Sequence, residues 1–220
     1  MTTLIGLIGF IGSGKDTVAQ KIIQHGATKD SFAAPLKDVV SAVFGWQRDL
    51  LEGDTIESRE FRETPDMFWS RKLGIPNFTP RLALQLVGTD VMRDHFHTDI
   101  WLSSLEYRLR CNKQAHGAVV ISDARFRNEL NLIKEMNGKV IWVQRGELPE
   151  WYDTAVKANQ GNVVAKRIME TKYRDVHSSE WDWVGFDVDY VITNNGTLED
   201  LYDQINKIQQ ELTLPKLKAI

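Results

Sequence analysis

The chain has 220 residues, 42% of them hydrophobic and 26% charged, and its 27 basic against 30 acidic residues give a formal net charge of −3. That composition excludes wholesale disorder and collagen-like structure, and without a basic excess it disfavours bulk electrostatic binding of a nucleic-acid polymer. The length suits one core carrying an inserted subdomain, so any phosphate-handling site must concentrate its cations locally. Cys111 is the only cysteine. This rules out an intramolecular disulfide and a cysteine-based zinc site, and fits a reducing cytoplasm. No apolar run approaches the length of a membrane span, and the first residues lack the pattern of a secretory signal. The expectation is a cytoplasmic protein with no membrane partner.

Residues 4–9 (Leu-Ile-Gly-Leu-Ile-Gly) are continuously apolar, the pattern of a strand buried on both faces. A Gly/Ser loop follows, then a helical pattern from about Lys15 to His25. Residues 28–33 suggest a second strand. Pro35 starts a helix with Leu36, Val39, Val40 and Val43 on one face. Residues 47–80 are charged and punctuated by Pro65, Pro76 and Pro80, which predicts an irregular or partly helical insert. Amphipathic helices are expected over 81–96 and 99–112. A strand follows at 118–122, then a helix at about 128–136 and a strand at 139–144. Residues 145–185 are polar with helical character around 163–172. A last strand at 189–193 precedes a closing helix at 198–212, whose Glu199 and Asp200 complement its positive N-terminal end. Strands alternate with helices five times, which predicts an α/β fold with a five-stranded parallel sheet wrapped on both faces. In such sheets ligands bind beyond the carboxyl ends of the strands.

Gly9-Phe10-Ile11-Gly12-Ser13-Gly14-Lys15 fits the first seven positions of the Walker A pattern and lies between an apolar strand and a helix, as that pattern requires. Its glycines let successive backbone N–H groups point at phosphate oxygens, the helix end adds positive potential, and Lys15 reaches the outer phosphates. The pattern expects Ser or Thr next. Here Asp16 stands there and Thr17 follows. A carboxylate is a hard magnesium ligand, and it could also orient an incoming nucleophile. Asp123, ending an apolar strand, is a second candidate for the magnesium shell, although a strand-end aspartate can equally cap the next helix. Arg125 offers the planar fork that binds phosphate oxygens, whereas Arg127 reads as a solvated charge. Arg81 and Gln85, four apart, share one helix face. His177 and Glu180 have helical spacing without the partners of a zinc site.

The segments Gly12–Thr17, Phe32–Asp38, Arg81–Asp90 with Trp101, Ser122–Arg125, His177–Glu180 and Ile192–Thr197 occur in an order that resembles the deoxynucleoside monophosphate kinases of tailed bacteriophages, within the P-loop kinase superfamily. The insert at 47–80 lies outside those matching segments. The resemblance implies a single kinase domain: a core of about 1–46, 118–144 and 186–220, an acceptor-binding helical insertion of about 47–117, and a lid of about 145–185. It implies ATP as phosphoryl donor, a deoxynucleoside monophosphate as acceptor, and Mg2+. Gly12, Ser13, Gly14, Lys15, Asp16, Thr17, Asn194 and Asn195 would bind ATP. Lys37, Arg81, Gln85, Trp101, Asp123, Arg125, His177 and Glu180 would bind the acceptor. Asp16, Thr17 and Asp123 would hold the metal. Lys15, Asp16, Arg125 and Arg145 would serve catalysis. Two alternatives stay open: a kinase of another small metabolite such as dephospho-coenzyme A, and a nucleotide-binding switch without transfer activity. A homodimer is compatible with either.

Overall fold

The apolar run at the start of the chain becomes a central strand. In a computed structural model, which describes residues 3–111 and 118–213, β1 (Thr3–Ile8) lies between β3 (Ala118–Ile121) and β4 (Lys139–Gln144), with β2 (Thr28–Asp30) and β5 (Tyr190–Thr193) at the two edges. All four pairings are parallel, in the order β2-β3-β1-β4-β5. Such a sheet needs apolar side chains on both faces, because crossover helices cover both. Ile5 and Leu7 point into one layer with α1 (Lys15–Gln24) and α11 (Leu198–Thr213), where Val18, Ile22, Leu201 and Ile205 are buried. On the opposite face Gly6 leaves room for Ile133 of α7 (Arg127–Glu135), whose Cδ1 would lie 2.5 Å from a Cβ at that position.

The chain divides into two compact units, residues 1–31 with 113–220, and residues 32–112. The second unit therefore begins ahead of α2 (Ala34–Phe44). It continues through a 3-10 turn (Arg48–Leu51), α3 (Ile56–Glu63), α4 (Met67–Leu73), α5 (Pro80–Gln85), a wide π-helical segment (Leu86–Phe96) and α6 (Ile100–Cys111). The expected end of this last helix at residue 112 lies outside the described residues. The core of this unit is Val40, Trp46, Leu51, Phe78, Ala83 and Leu84, with Phe44 stacked on Trp46 at 4.6 Å between ring centroids. Of the two readings of residues 47–80, irregular or partly helical, the structure shows the second, and several of the acids there have partners. Glu52 accepts from Lys37 at 2.6 Å and from Arg48 at 2.5 Å, Glu63 pairs with Arg81, and Asp66 accepts from the Trp46 indole at 2.8 Å while capping α4. Burial alone would raise the Glu52 carboxyl, but the hydrogen bonds from Lys37 and Arg48 outweigh it and hold its pKa below the ordinary value.

Several expectations need correction. β2 is shorter than the predicted strand, stopping at Asp30. On α2 the stripe facing the core is Leu36, Val40 and Phe44, four apart, while Val39 and Val43 are exposed. The helix predicted over 81–96 changes pitch after Gln85. The His97 N–H donates to Met92 O, five residues back, at 2.9 Å. Gly88 sits in this widened stretch because Leu36 Cδ2 would lie 2.7 Å from a Cβ there. The 145–185 segment holds α8 (Tyr152–Asn159), α9 (Val163–Thr171) and the short α10 (Ser178–Trp181), of which only the second was read from the sequence. Arg127 is not simply solvated: its backbone N–H donates to Asp182 Oδ2 at 2.7 Å and its Nη2 to Val184 O at 3.0 Å.

Asp189 fastens the start of β5. Its carboxylate accepts from Lys134 Nζ at 2.6 Å, Lys139 Nζ at 2.8 Å and the Val140 N–H at 2.8 Å. Burial would raise its pKa, but the two lysines and the amide outweigh burial and hold it below the ordinary value. An acid with a depressed folded pKa stabilises the fold above its unfolded pKa of about 4, and that stabilisation disappears as pH falls through the folded value. Asp189→Ala is expected to cost about 2 kcal/mol in denaturant unfolding at pH 7. The difference from wild type should shrink below the ordinary carboxylate range; a difference that persists unchanged in acid would refute the charge-based account.

Candidate active site

Leaving β1, the chain must turn back within six residues and start α1 at Lys15. Gly9, Gly12 and Gly14 make the turn with φ of 149°, 76° and 100°. Two of them are also required by close approach. A Cβ on Gly9 would lie 2.3 Å from Val143 O of β4, and one on Gly14 would lie 2.4 Å from Asn194 Nδ2, just beyond β5. The neighbouring strands therefore press the loop into shape. Its carbonyls are held from within the same unit. Ser13 N–H donates to Phe10 O at 3.1 Å, Lys15 Nζ donates to Gly9 O at 2.7 Å and to Phe10 O at 3.0 Å, and Asn194 Nδ2 donates to Ser13 O at 2.8 Å. Ser13 is 3% exposed, and its Oγ has no hydrogen-bond partner among the described residues. This left-handed glycine turn ahead of a ten-residue helix is the backbone arrangement of an anion cradle.

The electrostatics agree. Burial, and after it the Arg125 guanidinium, pull the Lys15 pKa below the usual lysine value, while Asp16 and Glu180 oppose them. An ammonium strained in this way gains from an anionic neighbour such as a polyphosphate. A cleft beside it is lined by Gly9, Lys15, Ser122, Arg125, Glu180 and Trp183. Arg125 is carried here by the turn after β3. Glu129, itself 3% exposed, accepts from the Arg125 and Phe126 N–H groups at 2.8 and 3.1 Å and fixes that turn. The Arg125 side chain pairs with Glu180 at 3.0 Å. Asp16 is exposed in the first turn of α1, Thr17 is half-buried beside it, and Asp123 is half-buried past the end of β3.

Within this unit Gly12, Ser13 and Gly14 lead into Lys15, which shares a cleft with Arg125 and Glu180. Arg145 is exposed, with Nη1 3.4 Å from Gly12 O. Asn194 and Asn195, expected near an adenine ring, are engaged with the loop and with the turn after β4. The Asn194 amide holds Ser13 O, and Asn195 Oδ1 accepts from the Gly146 N–H at 2.7 Å. His177 caps α10 by accepting from Ser179 N–H at 3.2 Å. In the second unit Arg81 and Gln85 are exposed on α5 while Ala83 and Leu84 face inward. Two expectations there need correcting. Trp101 is 5% exposed and its indole donates to Gly88 O at 2.9 Å, so it is a packing residue and not an open stacking platform. The Lys37 side chain is 14% exposed and neutralised by Glu52, so it braces its own unit. Sequence reasoning missed Glu129, although its place at the third position of α7 was a legible capping signal.

Among the described residues no three His, Cys, Asp or Glu side chains are placed to hold a metal by themselves. Magnesium bound with a nucleotide takes only one or two protein oxygens and fills its shell from phosphates and water. The hard oxygen donors of Asp16, Thr17 and Asp123 fit that requirement. No helix among the described residues is long and apolar enough to cross a membrane.

Residues 48–165 match the family model described as deoxynucleotide monophosphate kinase. The match includes residues 48–80, the stretch that lay outside the motif resemblance. A protein of Acanthamoeba polyphaga mimivirus assigned as a deoxynucleotide monophosphate kinase is 34% identical over 213 residues, covering 92% of this chain and 93% of that one. The deoxynucleoside-5'-monophosphate kinase of Escherichia phage T5 is 29% identical over 188 residues, covering 62% of this chain and 74% of its own. Among solved structures, dephospho-CoA kinase from Campylobacter jejuni overlaps with a TM-score of 0.47 at 13% identity, over 96% of this chain and 97% of that one. With a family model matching more than half of the chain and a 34% identical relative that matches nearly end to end, this chain belongs to the deoxynucleotide monophosphate kinase family.

Proposed function

We propose that the chain phosphorylates deoxynucleoside monophosphates to diphosphates with ATP as donor. The observation that carries this reading is the left-handed glycine loop closed around Lys15, in a chain of this family. In the reaction an oxygen of the acceptor phosphate attacks the γ-phosphorus in line. The bond from that phosphorus to the β–γ bridging oxygen breaks, and ADP departs with the bond's electrons. The acceptor phosphate, with a second pKa of about 6, is already anionic near neutral pH, so no base has to remove a proton. Catalysis is then positioning and charge neutralisation.

The loop N–H groups and Lys15 receive the donor phosphates. Asp16, Thr17 and Asp123 would hold Mg2+, which supplies charge neutralisation on the donor. Arg125 binds the acceptor phosphate with its planar fork, exchanging the Glu180 carboxylate for phosphate oxygens, and Arg145 supports the migrating group. Glu180 and His177 shape the α10 side of this site. In the second unit Arg81 and Gln85 are assigned to the acceptor's phosphate and base. Asn194 contributes to ATP binding through the loop it holds, not by reading the base. Since the named relatives come from a giant virus and a phage, the host cytoplasm is the assigned compartment.

A coupled assay with ATP and magnesium across dTMP, dGMP, dCMP, dAMP and their ribose counterparts tests the reading. Turnover of at least one deoxynucleotide is expected; turnover of dephospho-coenzyme A alone, or nucleotide binding without transfer, would overturn it. Lys15→Ala should lower kcat on the best acceptor by about 100-fold or more with the fold intact by circular dichroism. Arg125→Ala should raise the KM for the monophosphate by about tenfold or more while changing the KM for ATP little. Asn194→Ala should weaken ATP and GTP by the same factor; selective loss of ATP would instead mark Asn194 as a base-reading residue.

A further inference from the structure

The loop motif leaves its second position chemically unspecified, yet Phe10 occupies it with a definite environment. Its ring centroid lies 4.8 Å from Trp183, 5.5 Å from Trp151 and 6.3 Å from Tyr152, with interplanar angles of 54°, 85° and 76°. Trp142 of β4 backs the group, 6.0 Å from both Tyr152 and Trp183. These separations fall in the range where tilted and edge-to-face rings attract. All three of these ring partners of Phe10 come from the 145–185 segment: Trp151 and Tyr152 from the start of α8, and Trp183 from just after α10. The same residue's carbonyl accepts from Ser13 N–H and from Lys15 Nζ. Thus one side of Phe10 is gripped by the aromatic group, while the other fixes the peptide that orients Lys15.

We propose that Phe10, clamped by Trp151 and Trp183, is a positioning residue that sets the phosphate loop and couples it to the 145–185 segment. The ring acts through its own backbone. Loss of the clamp frees the Phe10 peptide, and Lys15 and the Ser13 N–H lose a fixed acceptor. The nucleotide must then order the loop when it binds, which weakens binding. The same contacts transmit loop movement to α8 and to the residues after α10, and Glu180 of α10 pairs with Arg125 in the cleft. The proposal rests on the kinase reading, but its test does not need an acceptor.

The measurement is the dissociation constant of ADP with magnesium, by calorimetry, alongside the melting temperature. Phe10→Ala and Trp151→Ala are each expected to weaken ADP by about tenfold, the scale of one lost aromatic pair and its ordering. Because Phe10→Ala already removes the contact with Trp151, adding Trp151→Ala should weaken ADP little beyond Phe10→Ala alone. Trp151→Phe, which keeps a ring against Phe10, should bind within about twofold of wild type, and a loss as large as that of Trp151→Ala would overturn the proposal. Variants that melt earlier but bind ADP as wild type does would reduce the cluster to packing and overturn the proposal. Effects that multiply in the double variant would overturn the coupling. Should Phe10→Ala fail to fold, Trp151→Ala against Trp151→Phe decides on the same criterion. A protein that turns over no deoxynucleotide yet shows this pattern would fail the functional reading and keep the clamp.

Discussion

The first unit depends on one constraint: the loop after β1 must hold its carbonyls away from the space its N–H groups are to face. Peptide dipoles in a tight loop do not separate in this way unless the carbonyls have donors elsewhere. Here Lys15 takes those of Gly9 and Phe10, and Asn194 takes that of Ser13. The sheet order makes this possible. β4, directly beside β1, brings Val143 O against Gly9, and β5 ends so that Asn194 reaches Gly14. Asp189, by fixing the start of β5 to β4, also sets where Asn194 arrives. The buried side chains of Ile5, Leu7, Val18 and Ile22 underneath give the loop an apolar floor.

The acidic insert takes on a different meaning from the one its composition suggests. Residues 47–71 contain seven acids and four bases, which account for the whole net charge of −3. A solvated acidic loop would merely repel phosphate. Instead Glu52 neutralises Lys37 and Arg48, Glu63 pairs with Arg81, and Asp66 receives the Trp46 indole. These carboxylates organise the helical unit around the Phe44–Trp46 stack. The remainder of the chain is balanced in charge, so the low overall charge is consistent with a few focused cations in one cleft.

Much of the first unit was legible because its signals are local. Continuous apolar runs marked β1, β3 and β4, and the glycine spacing marked the loop. The order of strands and the role of Asn194 were not legible, because they depend on which strand ends meet in space. The aromatic residues around Phe10 are spread from position 10 to position 183, and nothing in their spacing announces one cluster. In the second unit, proline and charge left the bounds of α3 and α4 unreadable within a stretch expected to be irregular or partly helical; their starts are capped by Thr55 and Asp66. Trp101 could be read from its motif either as an acceptor contact or as a buried helix residue; spacing does not separate the two, and its indole satisfies Gly88 O inside the unit.

The central claim is that the γ-phosphoryl group passes intact to another phosphate. Tracing it from ATP labelled at the γ-phosphorus, in the presence of mixed deoxynucleoside monophosphates and magnesium, tests this most directly. The account predicts label at the β-phosphorus of a deoxynucleoside diphosphate, with Lys15→Ala leaving it in ATP. Label appearing only as inorganic phosphate, or on a hydroxyl of another metabolite, would contradict it.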